Sequence, residues 1–182
     1  MKGFYLCLGR QGSGKTLFMT KHLVDNFTPN RPVFSNYTLF DVPYQKITFG
    51  NKKEVQKGAF DILEVLEEDS DFFNNAIMLL DEIHLYFDSR DYMRSNVRKI
   101  QTFFSQLRKR NILMLASTQY ILNLDVRIRR QALAVFQMKQ VKDTIFEVET
   151  HEIDGYFTNY IRTDLFNLGK YFKYYDTNEI IE

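Results

Sequence analysis

The run Gly9-Arg10-Gln11-Gly12-Ser13-Gly14-Lys15-Thr16 stands directly behind the apolar stretch Phe4-Tyr5-Leu6-Cys7-Leu8 and directly before a helix-like segment. It matches the phosphate-binding pattern G-x-x-x-x-G-K-[ST] together with the strand and helix that the pattern requires on either side. A loop wrapped round a triphosphate must turn its backbone N–H groups inward, which needs glycine where a Cβ would collide or where φ is positive. Gly9, Gly12 and Gly14 supply that freedom, and Gln11 and Ser13 complete the loop. The amine of Lys15 can neutralise β and γ oxygens, the hydroxyl of Thr16 can ligate Mg²⁺, and the following helix points its positive end at the phosphates. A chain with this segment is expected to fold as strand, loop and helix around ATP and Mg²⁺. A Gly-rich turn that merely happened to precede a lysine would not bring both flanks with it.

The remaining periodic segments extend that unit. Strands are expected at about 3–8, 32–38, 76–80 and 112–118, helices at 15–26, 52–68 and 93–108, and a short strand at 44–49. Pro29, Pro32, Pro43 and Gly50 punctuate the early part. In the last of the helices Met93, Val97, Ile100, Phe103, Phe104 and Leu107 follow one stripe, while Arg94, Arg98, Gln101, Ser105 and Arg108 share the opposite one. Ala132 to Met138 and Thr144 to Val148 read as a hairpin turned by Lys142-Asp143. Strands alternating with helices predict an α/β fold with a mostly parallel sheet flanked by helices. Residues 1–154 are expected to form that domain. Residues 155–182, rich in Tyr and Phe, are expected to pack on it as irregular structure with a short helix.

A chain of 182 residues holds one domain by size, and 45% hydrophobic with 26% charged residues fits an ordinary soluble protein. The apolar stretches at 76–80 and 111–124 are too short or too interrupted to cross a bilayer, and no signal peptide opens the chain, so an intracellular location is expected. The lone Cys7 excludes an internal disulfide and reads as a small core hydrophobe. A net charge of +1 gives no global attraction to nucleic acid. Local clusters exist, however: Arg94, Arg98 and Lys99, then Arg108-Lys109-Arg110, then Arg127, Arg129 and Arg130.

Hydrolysing ATP needs Mg²⁺ held in place and a base that orients water, which a carboxylate pair at the C-terminal tip of a buried strand provides. Asp81-Glu82, ending the run Ala76-Ile77-Met78-Leu79-Leu80, has that form. Asp81 is assigned to the Mg²⁺ shell and Glu82 to polarising water. His84 follows as a relay or an ordinary packed histidine. With His22 and His151 scattered, no metal-ligand cluster is visible. Gln119, ending Ala116-Ser117-Thr118-Gln119, is placed to contact the γ-phosphate or water if its strand neighbours the acidic one. A two-domain helicase is excluded by length.

The phosphate loop, Leu79-Leu80-Asp81-Glu82-Ile83-His84, Arg108-Lys109-Arg110-Asn111-Ile112 leading into Ser117-Thr118-Gln119, and Asp125-Val126-Arg127-Ile128-Arg129 before Val135-Phe136-Gln137 resemble the FtsK/HerA superfamily of DNA-translocating ATPases. Tyr86-Phe87 and Arg90 after the acids, with Val33-Phe34-Ser35-Asn36 after the first helix, are most similar to zonular occludens toxin-like proteins and viral genome-packaging ATPases. The resemblance spans roughly residues 3–138. It implies a RecA/ASCE-like P-loop NTPase sheet in which the glutamine strand lies between the phosphate-loop and acid strands, with Gln119 at the γ-phosphate. It also implies an arginine finger reaching a neighbouring subunit's nucleotide, for which Arg108 has the matching spacing and Arg110, Arg127 and Arg129 stand in reserve. A trans arginine requires an oligomeric ring, expected to be a hexamer.

Zonular occludens toxin-like and filamentous-phage assembly proteins carry a membrane anchor after the ATPase part, and none is visible here. The expectation is therefore a minimal motor that packages DNA into a capsid docked on a portal or capsid protein, located in the host cytoplasm or at the packaging vertex. The Arg94, Arg98, Arg127, Arg129 and Arg130 side chains are candidates for sequence-independent contacts to the DNA backbone. A phage assembly or secretion ATPase, a nucleotide-binding switch and a small-molecule kinase are the competing readings. Glu82 and Gln119 argue against the kinase.

Overall fold

The computed structural model describes residues 1–68, 71–87, 94–154 and 157–176, with the side chains of 94–99, 154 and 157 outside the description. β1 (Gly3–Leu8) runs into the phosphate loop and α1 (Lys15–Asn26) leaves it. β2 (Val33–Ser35), β3 (Gln45–Thr48), α2 (Lys52–Gln56), β4 (Phe60–Asp61) and α3 (Ile62–Glu68) follow. Then come β5 (Ile77–Leu80), α4 (Arg94–Gln106), β6 (Leu113–Thr118), α5 (Val126–Arg129), β7 (Ala132–Lys142), β8 (Ile145–Asp154) and β9 (Phe157–Asn167). A 3₁₀ segment, Gly169–Tyr174, follows, and Tyr175 beyond it bridges to Leu39.

Among the described residues the strands form one sheet in the order β4-β3-β2-β5-β6-β1-β7-β8-β9. Every pair from β4 to β7 is parallel, and β7-β8-β9 is antiparallel. The strand ending next to Gln119 thus lies between the phosphate-loop strand and the acid strand. A parallel strand covered on both faces reads as continuous apolar sequence, because alternate side chains enter opposite cores. Ile77, Leu79, Leu113 and Leu115 face the α1 side with Leu17, Phe18 and Leu23. Met78, Leu80, Met114 and Ala116 face the α4 side with Ile100, Phe103, Phe104 and Leu107. The apolar stripe read from the α4 sequence is the packed one wherever its side chains are described.

Two expectations require correction. The single helix at 52–68 is broken: the N–H groups of Gly58 and Ala59 close α2 on Val55 and Glu54, and Phe60–Asp61 then pairs with β3. Asp61 restarts the helix by accepting from the N–H of Leu63 at 3.0 Å. The tail is not irregular up to its short helix, since residues 157–167 pair along their length with β8. β9 is an edge strand with most side chains exposed, so it lacks the half-buried alternation that marks a strand in sequence. The hairpin is likewise longer than 132–148, its arms reaching Lys142 and Asp154.

His22 on α1 packs edge-on against Phe18 at 4.5 Å and stacks with Phe136 at 6.0 Å, leaving its Nε2 without a partner. Burial, with Lys21 and the N-terminal amine adding and Asp25 opposing, pushes its pKa down to about 4. Between the ordinary value near 6.5 and about 4 the unfolded chain takes up a proton that the folded chain refuses. Stability should therefore fall as pH drops through that window, by roughly 3 kcal/mol from this residue. Urea unfolding at a series of pH values should show a shallower acid slope for His22→Leu than for the wild type.

Candidate functional site

The phosphate loop emerges from the C-terminal end of β1 and is shaped by two close approaches. Gly14 has φ 89° and caps α1 in the left-handed region, where a side chain would also meet the Phe146 ring 2.5 Å away. A Cβ on Gly9 would stand 2.8 Å from the Met138 carbonyl oxygen. Phe146, a β8 residue only 2% exposed, is therefore a buttress of the loop. The sequence offers no signal for it, because its role depends on a hairpin returning beside β1.

Lys15 is 6% exposed and its ammonium donates to the carbonyls of Gly9 at 3.1 Å and Arg10 at 3.3 Å. The amine is thus held across the mouth of the loop. Thr16 Oγ1 donates to Asp81 Oδ2 at 2.7 Å, bringing together two oxygen donors that the sequence separates by 65 positions. Glu82 reaches the same place: its Oε1 lies 3.8 Å from Lys15 Nζ.

The acid pair is fixed from three sides. Asn36, 5% exposed, accepts from the N–H of Asp81 at 2.8 Å and donates to the Asp81 carbonyl at 2.8 Å, so one amide clamps both backbone groups. Its Nδ2 also donates to Tyr86 Oη at 3.2 Å. Ser117 on β6 donates to Asp81 Oδ1 and accepts from the N–H of Glu82 at 3.0 Å. Glu82 itself sits at φ 49° and ψ 48°, a left-handed conformation that a non-glycine residue holds only when its surroundings impose it. That turn swings Glu82 off the strand axis toward Lys15. His84 Nδ1 lies 3.2 Å from Glu82 Oε2 and 3.2 Å from Thr118 Oγ1, linking the acid to the tip of β6. Asn36 was visible in the sequence only as the end of Val33-Phe34-Ser35-Asn36, and Ser117 only as a neighbour of Gln119.

Gln119 is exposed and stands beside Gly9, Ser13, Tyr120 and Gln137 around a cavity of about 600 Å³. A second cavity of about 380 Å³ holds Gly12, Lys15, Thr16, Asp81 and Glu82 and extends to Phe172 and Tyr175 of the tail. Burial, with the Asp81 charge adding, raises the Tyr175 phenol to about 12. Burial also pushes the Cys7 thiol up, and with 0% exposure it is a core residue.

The arginines are dispersed. Arg108 is exposed and its Cγ lies beside Gly3, at the N-terminal end of β1. β1 thus separates it from the phosphate loop by roughly 20 Å, six residues at about 3.3 Å each. Arg110 donates to Gln106 and pairs with Asp71 at 3.3 Å. Arg127 donates to Asp125 through Nε at 3.0 Å and Nη2 at 2.7 Å, which holds that carboxyl below its usual range. Arg129 is 7% exposed with its Nε unpartnered, and Arg130 is exposed. The side chains of Arg94 and Arg98, and all of Arg90, lie outside the described residues.

Thr16 and Asp81 offer the hard oxygen donors that Mg²⁺ prefers, and their 2.7 Å contact shows that they converge. Among the described residues no group of three His, Cys, Asp or Glu side chains gathers around a point. No helix among the described residues is long and apolar enough to cross a membrane.

The chain is similar in fold to several solved proteins. The N-terminal domain of zonular occludens toxin from Neisseria meningitidis superposes with a TM-score of 0.70 at 21% identity, over 97% of this chain and 100% of that one. The genome packaging NTPase B204 from Sulfolobus turreted icosahedral virus 2, in complex with ATP-gammaS, gives 0.54 at 11% identity, over 88% and 97%. The flagellar accessory protein FlaH from Methanocaldococcus jannaschii gives 0.54 at 12% identity, over 91% and 84%. These likenesses establish a P-loop NTPase fold. No curated protein matches the sequence. The family described as Zonular occludens toxin (Zot) matches residues 3–156, and with most of the chain so covered this protein belongs to the zonular occludens toxin family.

Proposed function

We propose that this chain is the ATPase of a DNA-translocating motor that hydrolyses Mg²⁺-bound ATP in an oligomeric ring. The observation that carries this reading is the convergence of Lys15, Thr16, Asp81 and Glu82 on one cavity. In the bound state Lys15 would exchange its carbonyl partners for β and γ oxygens, and the loop N–H groups would take the remaining charge. Thr16 and Asp81 would hold Mg²⁺, which when bound neutralises charge on the β- and γ-phosphate oxygens. Glu82 would orient a water and accept its proton as the water oxygen bonds to phosphorus and the bond to the ADP oxygen breaks. A kinase has no use for such a base aimed at water.

Gln119, at the tip of the strand between loop and acids, serves as the γ-phosphate sensor. Arg108 stands too far from its own loop to act there, so its guanidinium serves a neighbouring chain's nucleotide, and six chains closing a ring complete every site. The exposed Arg127 and Arg130, with Arg94 and Arg98, supply candidate contacts to DNA phosphates, whereas Arg129, 7% exposed, is buried away from such a partner. In the capsid-packaging setting the ring docks on a capsid or portal protein and works in the host cytoplasm or at the virion vertex. A second setting, phage assembly or secretion, is favoured by two observations: the family match, and the TM-score of 0.70 against 0.54 for the packaging NTPase. The site chemistry serves both.

Sedimentation velocity and phosphate release, each with and without ATP and DNA, test the reading. A nucleotide-dependent ring whose turnover rises with DNA and falls steeply with salt is expected. A monomer under all conditions, with turnover indifferent to DNA, would leave a binding switch and remove the motor.

A further inference from the structure

The cavity above the phosphate loop extends beyond the groups that handle phosphate. Four aromatic side chains from three segments line it: Tyr37, Phe146, and Phe172 with Tyr175. Three of them have other work. Tyr37 is 1% exposed with its hydroxyl 3.1 Å from Thr20 Oγ1. Phe146 presses on Gly14. Tyr175 packs edge-on against Tyr37 at 6.3 Å.

Phe172 is different, being 38% exposed within a tightly anchored segment. On one side Leu168 is fully buried with its N–H on the Thr144 carbonyl at 2.8 Å, and Tyr171, 4% exposed, donates to Asp25 of α1 at 3.1 Å. On the other side the N–H of Phe40 donates to the Tyr174 carbonyl at 2.7 Å, and Leu39 bridges to Tyr175. An aromatic ring held between two anchors yet left open to a cavity is preorganised for a flat partner, because its position costs no further ordering when the partner arrives. Triphosphate oxygens seated from Gly12 to Thr16 would leave the nucleoside half of the ligand to the rest of the cavity, whose lining includes Leu17 and Phe172.

We propose that residues 169–176 form the nucleobase subsite, with the Phe172 ring as a stacking platform for the base of the bound nucleoside triphosphate. This rests on the nucleotide reading of the loop. Stacking of this kind tolerates any base, since every base offers a π face. The tail that the sequence left without a role is then part of the ligand site.

Titration calorimetry with two probes, Mg²⁺-ATP and Mg²⁺-tripolyphosphate, separates the two layers of the claim. Phe172→Ala should weaken ATP by roughly tenfold or more and leave tripolyphosphate unchanged, and Phe172→Trp should restore ATP affinity. Equal ATP affinity in wild type and Phe172→Ala would overturn the platform while leaving the phosphate site standing. Parallel loss of both probes in Phe172→Ala would make the residue structural and also overturn it. A wild-type chain that binds neither probe would overturn the nucleotide reading itself, and the platform with it.

Discussion

Replacing Glu82 with glutamine should leave ATP binding close to the wild-type level and lower phosphate release by roughly 10²- to 10⁴-fold. The geometry separates the two effects. In the proposed site the loop N–H groups, Lys15 and Thr16 would engage the phosphates, whereas Glu82 stands 3.8 Å from Lys15. Glutamine keeps the shape and can still align a water, but it cannot take the proton. The left-handed backbone at Glu82 is held by Ser117 and by the Asp81 carboxylate, neither of which contacts the Glu82 side chain through the hydrogen bonds that fix the turn. The fold should therefore survive, and equilibrium binding beside single-turnover hydrolysis checks both halves. An ATP-trapped variant that retained biological function would instead support the binding switch.

Lys15→Ala should have the complementary outcome: ATP affinity falls by roughly 10²-fold or more, taking each lost charged hydrogen bond at about 1.5–3 kcal/mol. The side chain is 6% exposed and its amine bridges two loop carbonyls, so the nucleotide site inherits a cation already desolvated and positioned. Truncation removes the positive charge facing Glu82 as well. Calorimetry should register the loss while thermal unfolding remains cooperative. Affinity equal to the wild type would mean that the phosphates do not sit in this loop.

The parts of this molecule legible in its sequence are those whose physics is local or periodic. Gly9 to Thr16 carries its own geometry, since glycine positions and the lysine spacing follow from wrapping a backbone round an anion. Ile77 to Leu80 and Leu113 to Thr118 announced themselves as strands because both faces are covered. The resemblance to known ATPases supplies the place of the glutamine strand between the loop and acid strands, which no periodicity contains. What stayed hidden depends on long-range return of the chain. Phe146 reaches Gly14 only because β8 comes back beside β7, and Phe172 reaches the cavity only after β9 has extended the sheet. β9 carries little strand signal because it is an edge strand whose side chains are mostly exposed, with Phe166 packing on Phe18 near its end. Residues 52–68 read as one helix because Gly58 stands alone in a run of good helix formers, although the chain breaks there. Asn36 shows an intermediate case: its residue type suits a backbone clamp, but only the pairing of β2 with β5 sets it against Asp81.

The central claim is that the phosphate loop and the Asp81-Glu82 pair form one hydrolytic site. Incubation of the wild-type chain with ATP and Mg²⁺, followed by separation of products with and without a chelator, addresses it directly. The account predicts ADP and free inorganic phosphate, formed only while Mg²⁺ is available. Intact ATP under all conditions, or the γ-phosphate recovered on an acceptor molecule, would contradict it.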